Sequence, residues 1–355
     1  MDTDYSAFSE EEIESLRNGV LGQEVAVGEI QSRLRQLWEG DETRTRASLI
    51  NFAIYNEKLG GLLENSRMLS AITREQACRA LLIMSIPGER RDVRAWITAH
   101  CHLANGHKTV CSEQIAFLLQ GGRASTLRNI VFANLDSDLP LVFWWQGEFS
   151  ENFEDRLYSV IDRLIFDSSS WSDPKRGFGV LLAARAERGT RFYMSDLAWA
   201  RSHKLRAGLA TRFEMPSARA QLKKLDTLRI RHGSAGAMPA AFVTAWAAKA
   251  LDAKPRGVRE GWILQRERAP DIAVVHEEGE SPYLEQIELS GGDASFRVTC
   301  AGTRIEAVTE APGCSNRQLR PGAPQDDADL LRSVLERAGD KSLYESLVPV
   351  VREMI

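Results

Sequence analysis

The chain has 355 residues, of which 43% are hydrophobic and 26% charged, and a formal net charge of −4. That length exceeds what one core usually organises, so two domains are expected. Without a basic stripe or an acidic tail, nucleic acid and anionic membranes are disfavoured as partners.

From Met1 to about Asp41 the sequence reads as helix. Ser9 stands three residues before Glu12, the spacing of a capping box, and EIQSRLRQLWEG follows with apolar residues at helical intervals. The acidic opening lacks the apolar core of a signal peptide, and no later run is long enough to span a bilayer. Leu49 to Tyr55 is the first strand, a helix runs from about Leu59, and another is expected to begin at Thr73. Ala80 to Ile86 reads as strand, ended by Pro87-Gly88. Ala95 to Leu103 and Val110 to Leu119 form a hairpin around Asn105-Gly106. Leu127 to Leu135 is an amphipathic helix, and Leu139 to Trp145 is an apolar strand. Strands this continuously apolar predict a sheet covered on both faces. Strand alternation puts Trp144 and Trp145 on opposite faces, each filling its own layer of core. A helix near Phe153 to Asp162, the strand Leu164 to Asp167 and helices to about Leu225 complete the first half.

The second half restarts with the strand Thr227 to Arg231 and the Ala-rich helix Pro239 to Leu251. Several strands follow. YLEQIELSGG, ASFRVTCAG and TRIEAVTE alternate apolar and polar residues between glycine turns, the pattern of an antiparallel meander with one wet face. Asp326 to Ile355 closes the chain as two helices split near Gly339-Asp340. The expected fold class is therefore α/β with two domains: mixed sheets covered by helices, an N-terminal helical arm over 1–45, an α/β domain over 46–190, and a second over 191–355 carrying the meander and the closing helices.

Motifs for chemistry are sparse. No glycine-lysine phosphate loop is present, and the single GxG, Gly177 and Gly179, lacks a third glycine and sits in a helical stretch, which disfavours a dinucleotide-binding enzyme. His100, Cys101, His102, His107 and Cys111 have the residue types of a zinc site. A two-residue turn would set His100 opposite Cys111. The apolar pattern instead sets Ile97 opposite Ile115, Ala95 opposite Phe117 and Cys101 opposite Cys111, and buried side chains usually decide register. The pattern favours free thiols over zinc or a disulfide, in keeping with five scattered cysteines and a cytoplasmic location; any redox sensitivity is expected at Cys101 and Cys111. Asp136 and Asp138 flank Ser137 in a turn, where carboxylates commonly bond to backbone. Glu113, inside an apolar strand, needs a cation such as Arg94 or Arg128. Ser195-Asp196 opens a helix carrying Trp199, Arg201, Arg206 and Arg212, and arginine with tryptophan is the composition of interface hot spots.

CSEQI (Cys111 to Ile115), SDLPLVFWW (Ser137 to Trp145), DRLIFDSSSW (Asp162 to Trp171) and SDLAWARSHKLRAGLATRF (Ser195 to Phe213) resemble the OpcA family, and the tail LLRSVLERAGDKSLYESLV fits it more loosely. The chain departs from that pattern before the Trp96 strand, where Pro87-Gly88-Glu89-Arg90 replaces a Pro-Ser-Arg-like turn. The resemblance implies an assembly and effector protein of glucose-6-phosphate dehydrogenase in the oxidative pentose phosphate pathway, without catalysis or cofactor of its own. Trp199, Arg201, Arg206, Asp136 and Asp138 are the residues expected to touch that partner. The rival readings are a sugar- or phosphosugar-acting enzyme using Asp136, Asp138 and Glu113, and a scaffold for another metabolic enzyme.

Overall fold

Apolar runs long enough for a strand but too short for a helix build the first sheet, because a parallel strand buried on both faces needs no polar side. The computed structural model describes residues 21–38, 44–46, 48–58, 60–88, 91–104, 108–187, 192–259, 261–322, 327–337 and 341–355. They fall into two units, one from Met1–Phe166 and Gly179–Ser195, the other from Asp167–Phe178 and Asp196–Ile355.

In the first unit the elements are β1 (Gln23–Val25), α1 (Ile30–Trp38), β2 (Arg44–Arg46), β3 (Ile50–Asn56), α2 (Gly61–Ile72), β4 (Cys78–Ile86), β5 (Asp92–Ala104), β6 (Lys108–Gln120), α3 (Ala124–Asn134), β7 (Leu141–Trp145), α4 (Asp155–Tyr158), β8 (Arg163–Phe166) and β9 (Tyr193–Asp196); a further helix, Pro174–Ala186, lies between β8 and β9 in the chain and has residues in both units. The nine strands run in the order β1-β5-β6-β4-β3-β7-β8-β9, with β2 on β6. β6, β4, β3, β7 and β8 are parallel neighbours, and β5 is antiparallel to β6. Every residue of β4 and β7 is buried. The five parallel strands read third, second, first, fourth, fifth in chain order. That is the doubly wound arrangement, and its switch point lies between β3 and β7.

Trp144 and Trp145 are both buried, as the apolar strand requires. Three local expectations change. Gln23–Val25 is an edge strand on β5, so the helix expected over Met1 to Asp41 holds at Ile30–Trp38; the stretch Met1 to Val20 lies outside the described residues. Thr73 ends a helix instead of starting one: its N–H returns to the Leu69 carbonyl at 2.9 Å and its hydroxyl meets His102 Nε2 at 3.1 Å. Between Phe153 and Asp162 the helix is the single turn α4, because Phe153 and Tyr158 turn into an aromatic cluster.

In the second unit come α5 (Leu197–Arg201), α6 (His203–Ala210), α7 (Pro216–Gln221), β10 (Thr227–His232), α8 (Ala237–Ala250), β11 (Lys254–Val258), β12 (Gly261–Gln265), β13 (Ile272–Glu278), β14 (Leu284–Gly291), β15 (Ala294–Ala301), β16 (Arg304–Ala311), β17 (Cys314–Pro321), α9 (Asp327–Glu336) and α10 (Lys341–Met354). The sheet order is β11-β12-β13-β10-β14-β15-β16-β17, and only β10–β13 is parallel. β14 to β16 form the expected meander, and β17 extends it by one antiparallel strand. Phe296, Val298, Ile305 and Ala307 enter the core with Leu205 and Leu209 of α6. On the other face Arg229 pairs with Glu277 at 2.6 Å, and Arg231 reaches the same carboxylate at 2.9 Å. Exposed pairs of this kind contribute about 0–1 kcal/mol each, so the apolar face carries the stability. Among the described residues no helix is long and apolar enough to cross a membrane.

Candidate functional site

The β5–β6 hairpin settles the cysteine register. Ile97 faces Ile115, Ala95 faces Phe117 and Cys101 faces Cys111, so the apolar side chains, not the turn, set the pairing. Cys101 and Cys111 are joined as a disulfide with Cα atoms 4.0 Å apart, which replaces the free-thiol expectation. The histidines face other partners: His100 Nε2 meets Gln114 Oε1 at 2.9 Å, and His102 meets Thr73. Among the described residues no group of three or more His, Cys, Asp or Glu side chains is placed to hold a metal; His107 lies outside them. Cys78 and Cys314 are buried and Cys300 is half-buried, and burial pushes the Cys78 thiol up to about 12. Differential alkylation is therefore expected to label Cys101 and Cys111 only after reductant, with Cys300 labelled before it. Labelling of Cys111 without reductant would contradict this pairing.

The acids considered for sugar chemistry have different surroundings. Glu113 is 2% exposed and pairs with Arg79 at 3.6 Å; Arg94 and Arg128 are instead held by Glu24 and Glu154, each at 2.8 Å. The correction follows from topology, since β4 is the parallel neighbour of β6 and sets Arg79 directly opposite Glu113. Asp136 is fixed by Asn51, whose amide bonds the Asp136 and Leu139 carbonyls at 2.8 Å and whose Oδ1 accepts the Asp136 N–H at 2.8 Å. Asp138 is exposed in the same turn. Asn51, Arg79 and Glu113 form one cross-strand row near the amino ends of the parallel strands, whereas ligands of such sheets sit at the carboxyl ends.

At those carboxyl ends, beside the switch point, stands a network the sequence did not single out. Asn56 closes β3 and Gln146 follows β7, and the Asn56 amide donates to Gln146 Oε1 at 3.0 Å. Gln146 and Asn65 of α2 exchange a reciprocal pair of amide bonds, each 2.9 Å. Glu57 accepts from the Tyr55 hydroxyl at 2.6 Å, from Ser150 and from the Asn152 amide at 3.1 Å. Burial, then the Glu57 hydrogen bond and charge, hold the Tyr55 phenol far above its ordinary range.

In the second unit, two of the segments that carry the family resemblance meet. Asp196 caps α5 by accepting the Ala198 N–H at 2.9 Å; the same carboxyl accepts the Ser168 N–H at 3.1 Å, the Ser168 hydroxyl at 2.6 Å and the Tyr344 hydroxyl at 3.1 Å. Arg201 bridges Asp167 at 2.7 Å and Asp327 at 2.9 Å. Trp199 packs on Phe242 and Tyr344. Arg206 lies over the Trp199 ring, 3.0 Å from its centroid, and bonds Ser202 Oγ at 2.8 Å and the Trp199 carbonyl at 3.1 Å. Arg206 is 6% exposed, so it does not stand open to a partner as a contact residue would; its planar head is used against the indole.

Burial, then the charge of Asp167, push the Asp196 carboxyl up to about 7, against the opposing pull of its Ser168 and Ala198 hydrogen bonds. Burial and the nearby Arg337, Arg206 and Lys204 cations push His203 down to about 4, which leaves it neutral. Ser168 is fully buried, so its hydroxyl braces Asp196 and offers no open nucleophile. The raised Asp196 value fixes a sign. The folded state holds this proton more tightly than the unfolded chain, so the contribution is complete below about pH 4 and is lost as pH rises through about 7. Melting curves at about pH 5 and pH 8 should show a larger drop for the native chain than for Asp196→Asn. Equal drops would exclude this carboxyl as the source.

Residues 69–183 match a family model described as a glucose-6-phosphate dehydrogenase subunit N-terminal domain, and residues 192–348 match the corresponding C-terminal domain. The chain is thus a two-domain protein of the class associated with glucose-6-phosphate dehydrogenase assembly. It belongs to the OpcA family. A protein of Nostoc punctiforme provisionally named OxPP cycle protein OpcA is 22% identical over 94% of this chain and 79% of its own length. A Synechococcus elongatus protein with the same name is 24% identical over 81% of this chain and 70% of its own. Among solved structures, aldose-aldose oxidoreductase from Caulobacter crescentus aligns over 86% of this chain and 96% of its own, with 11% identity and a TM-score of 0.46. A likeness at that level assigns neither a reaction nor a cofactor.

Proposed function

We propose that the chain is a non-catalytic assembly factor that binds glucose-6-phosphate dehydrogenase and favours its active assembled form. The observation that carries this reading is the match of both family domains, in order, over most of the chain. The site geometry supports it. Glu113 is buried in an ion pair with Arg79, Asn51 fixes the Asp136 backbone, and Ser168 is buried. An effector acts only by binding the active state more tightly than the inactive one. A tenfold difference in affinity corresponds to about 1.4 kcal/mol, which a single interface anchor provides.

Asp138 is the exposed member of the residues named for contact, and the turn Asp136 to Asp138 is the surface proposed to meet the enzyme. Trp199, Arg201 and Arg206 are engaged within the second unit, where they brace α5 and α6. Size-exclusion chromatography with the cognate dehydrogenase tests the reading: co-elution is expected, and separate elution at micromolar concentrations would overturn it. Asp138→Arg, an exposed change that should shift stability by less than about 0.5 kcal/mol, is expected to weaken co-elution. Undiminished co-elution of that variant would remove the turn from the interface.

A further inference from the structure

A doubly wound sheet places a nicotinamide dinucleotide in the crevice at the carboxyl ends of its strands, where the strand order reverses. The pyrophosphate lies on a glycine-rich turn at the N-terminus of the first crossover helix, because bare backbone N–H groups and the helix dipole face it there. In this chain the equivalent place is the connection from β3 to α2, beside β7.

The residues there do not fit that ligand. The connection holds Gly60, with φ +89°, and Gly61, but Glu64 and Asn65 stand where a third glycine would let helix and strand pack closely. A Cβ on Gly61 would collide with the Asn56 carboxamide, so the bare backbone at the start of α2 accommodates the protein's own amide. Asn56 and Asn65 are buried and Gln146 is half-buried, and Gln146 bonds to both of them at 2.9–3.0 Å. Glu57 adds a carboxylate beside them, held by Tyr55, Ser150 and Asn152, and a fixed anion opposes a pyrophosphate. β4 ends at Ile86 with no acid at its carboxyl end, where one would take a ribose hydroxyl.

We infer that this chain carries a dinucleotide-type crevice sealed by its own side chains: the Asn56, Asn65 and Gln146 amides occupy the pyrophosphate position, and the crevice works as a joint between β3, β7 and α2 that takes no nicotinamide cofactor. The reciprocal amide bonds give it a structural use. Gln146 lies 81 residues from Asn65 and 90 from Asn56, so the network ties the two halves of the parallel sheet across their switch point.

The full chain is titrated with NADPH, NADP and NADH to about 1 mM, reading tryptophan-to-nicotinamide energy transfer for the two reduced forms and the melting temperature for all three. No saturable signal and no stabilisation are expected; saturable binding of any of the three overturns the inference. Gln146→Ala, which removes all the amide bonds of the joint, is expected to lower the melting temperature by several degrees. Gln146→Glu keeps the acceptors toward Asn56 and Asn65 and loses the donation to Asn65, so a smaller drop is expected and the comparison survives should the alanine variant fail to fold. Melting temperatures equal to that of the native chain would show that the amides are not a joint.

Discussion

Truncating Trp145 to alanine is expected to cost about 3–5 kcal/mol, the range for large aromatic-to-alanine changes in cores. Trp145 is fully buried on the last position of β7 and touches Tyr55, Phe143, Phe149 and Phe153 with ring centroids 4.3–6.1 Å apart. Its Nε1–H donates to the Glu148 carbonyl at 2.9 Å, so truncation also leaves that carbonyl without this donor. For a unit of this size, each kcal/mol moves the melting temperature by about 2–4 °C, so a fall on the order of 10 °C is expected by calorimetry. Phe132→Ala is the control. Phe132 is 42% exposed on α3, and its loss should shift melting by far less. Equal shifts for the two variants would mean that the Trp145 cluster is not the packed centre of the first unit.

A loss of similar size is expected for Arg79→Ala. Breaking a buried ion pair by removing one partner typically costs about 3–5 kcal/mol, because the surviving charge keeps its desolvation cost. Here the survivor is Glu113, in a pair whose side chains are 7% and 2% exposed. Arg79 also donates to Gln31 of α1 at 3.0 Å, so the loss reaches that helix. The double variant Arg79→Met/Glu113→Gln should recover much of the loss, since apolar or neutral replacements of similar volume are often well tolerated. Urea unfolding of Arg79→Met, Glu113→Gln and the double closes the cycle. A double variant no more stable than Arg79→Ala would mean that the cost comes from packing and not from a stranded carboxylate.

Some of this architecture can be read directly from residue order. β3, β4 and β7 are legible because burial on both faces leaves unbroken apolar runs such as LLIMSI and LVFWW. The hairpin register is legible because Ile97, Ile115, Ala95 and Phe117 all have to enter the core together. Thr73 is misleading because a threonine followed by acidic and amide residues looks like a helix start, while the same hydroxyl serves equally at a helix end. The partner of Glu113 is hidden because it depends on which strand lies beside β6, a fact of topology. The same holds for the polar networks. Asp196 and Tyr344 are 148 residues apart and Asn56 and Gln146 are 90 apart, and no local pattern announces such pairs. What could have drawn attention to Ser168 and Asp196 is their place inside two of the segments that resemble the OpcA family.

The burial of Arg206 changes how a partner surface should be probed. Reversing its charge would disturb the stack on Trp199 and the bonds to Ser202, so any lost association would report on packing as much as on contact. Exposed Asp138 avoids that ambiguity.

The most direct test of the proposed role is to titrate the purified full-length chain into the cognate glucose-6-phosphate dehydrogenase while following NADPH production and the enzyme's assembly state by light scattering. The proposed role predicts a saturable rise in dehydrogenase rate that parallels a shift toward the larger assembly, with no turnover from the chain alone. A rate and an assembly state both indifferent to the added chain, or substrate turnover by the chain without the enzyme, would contradict it.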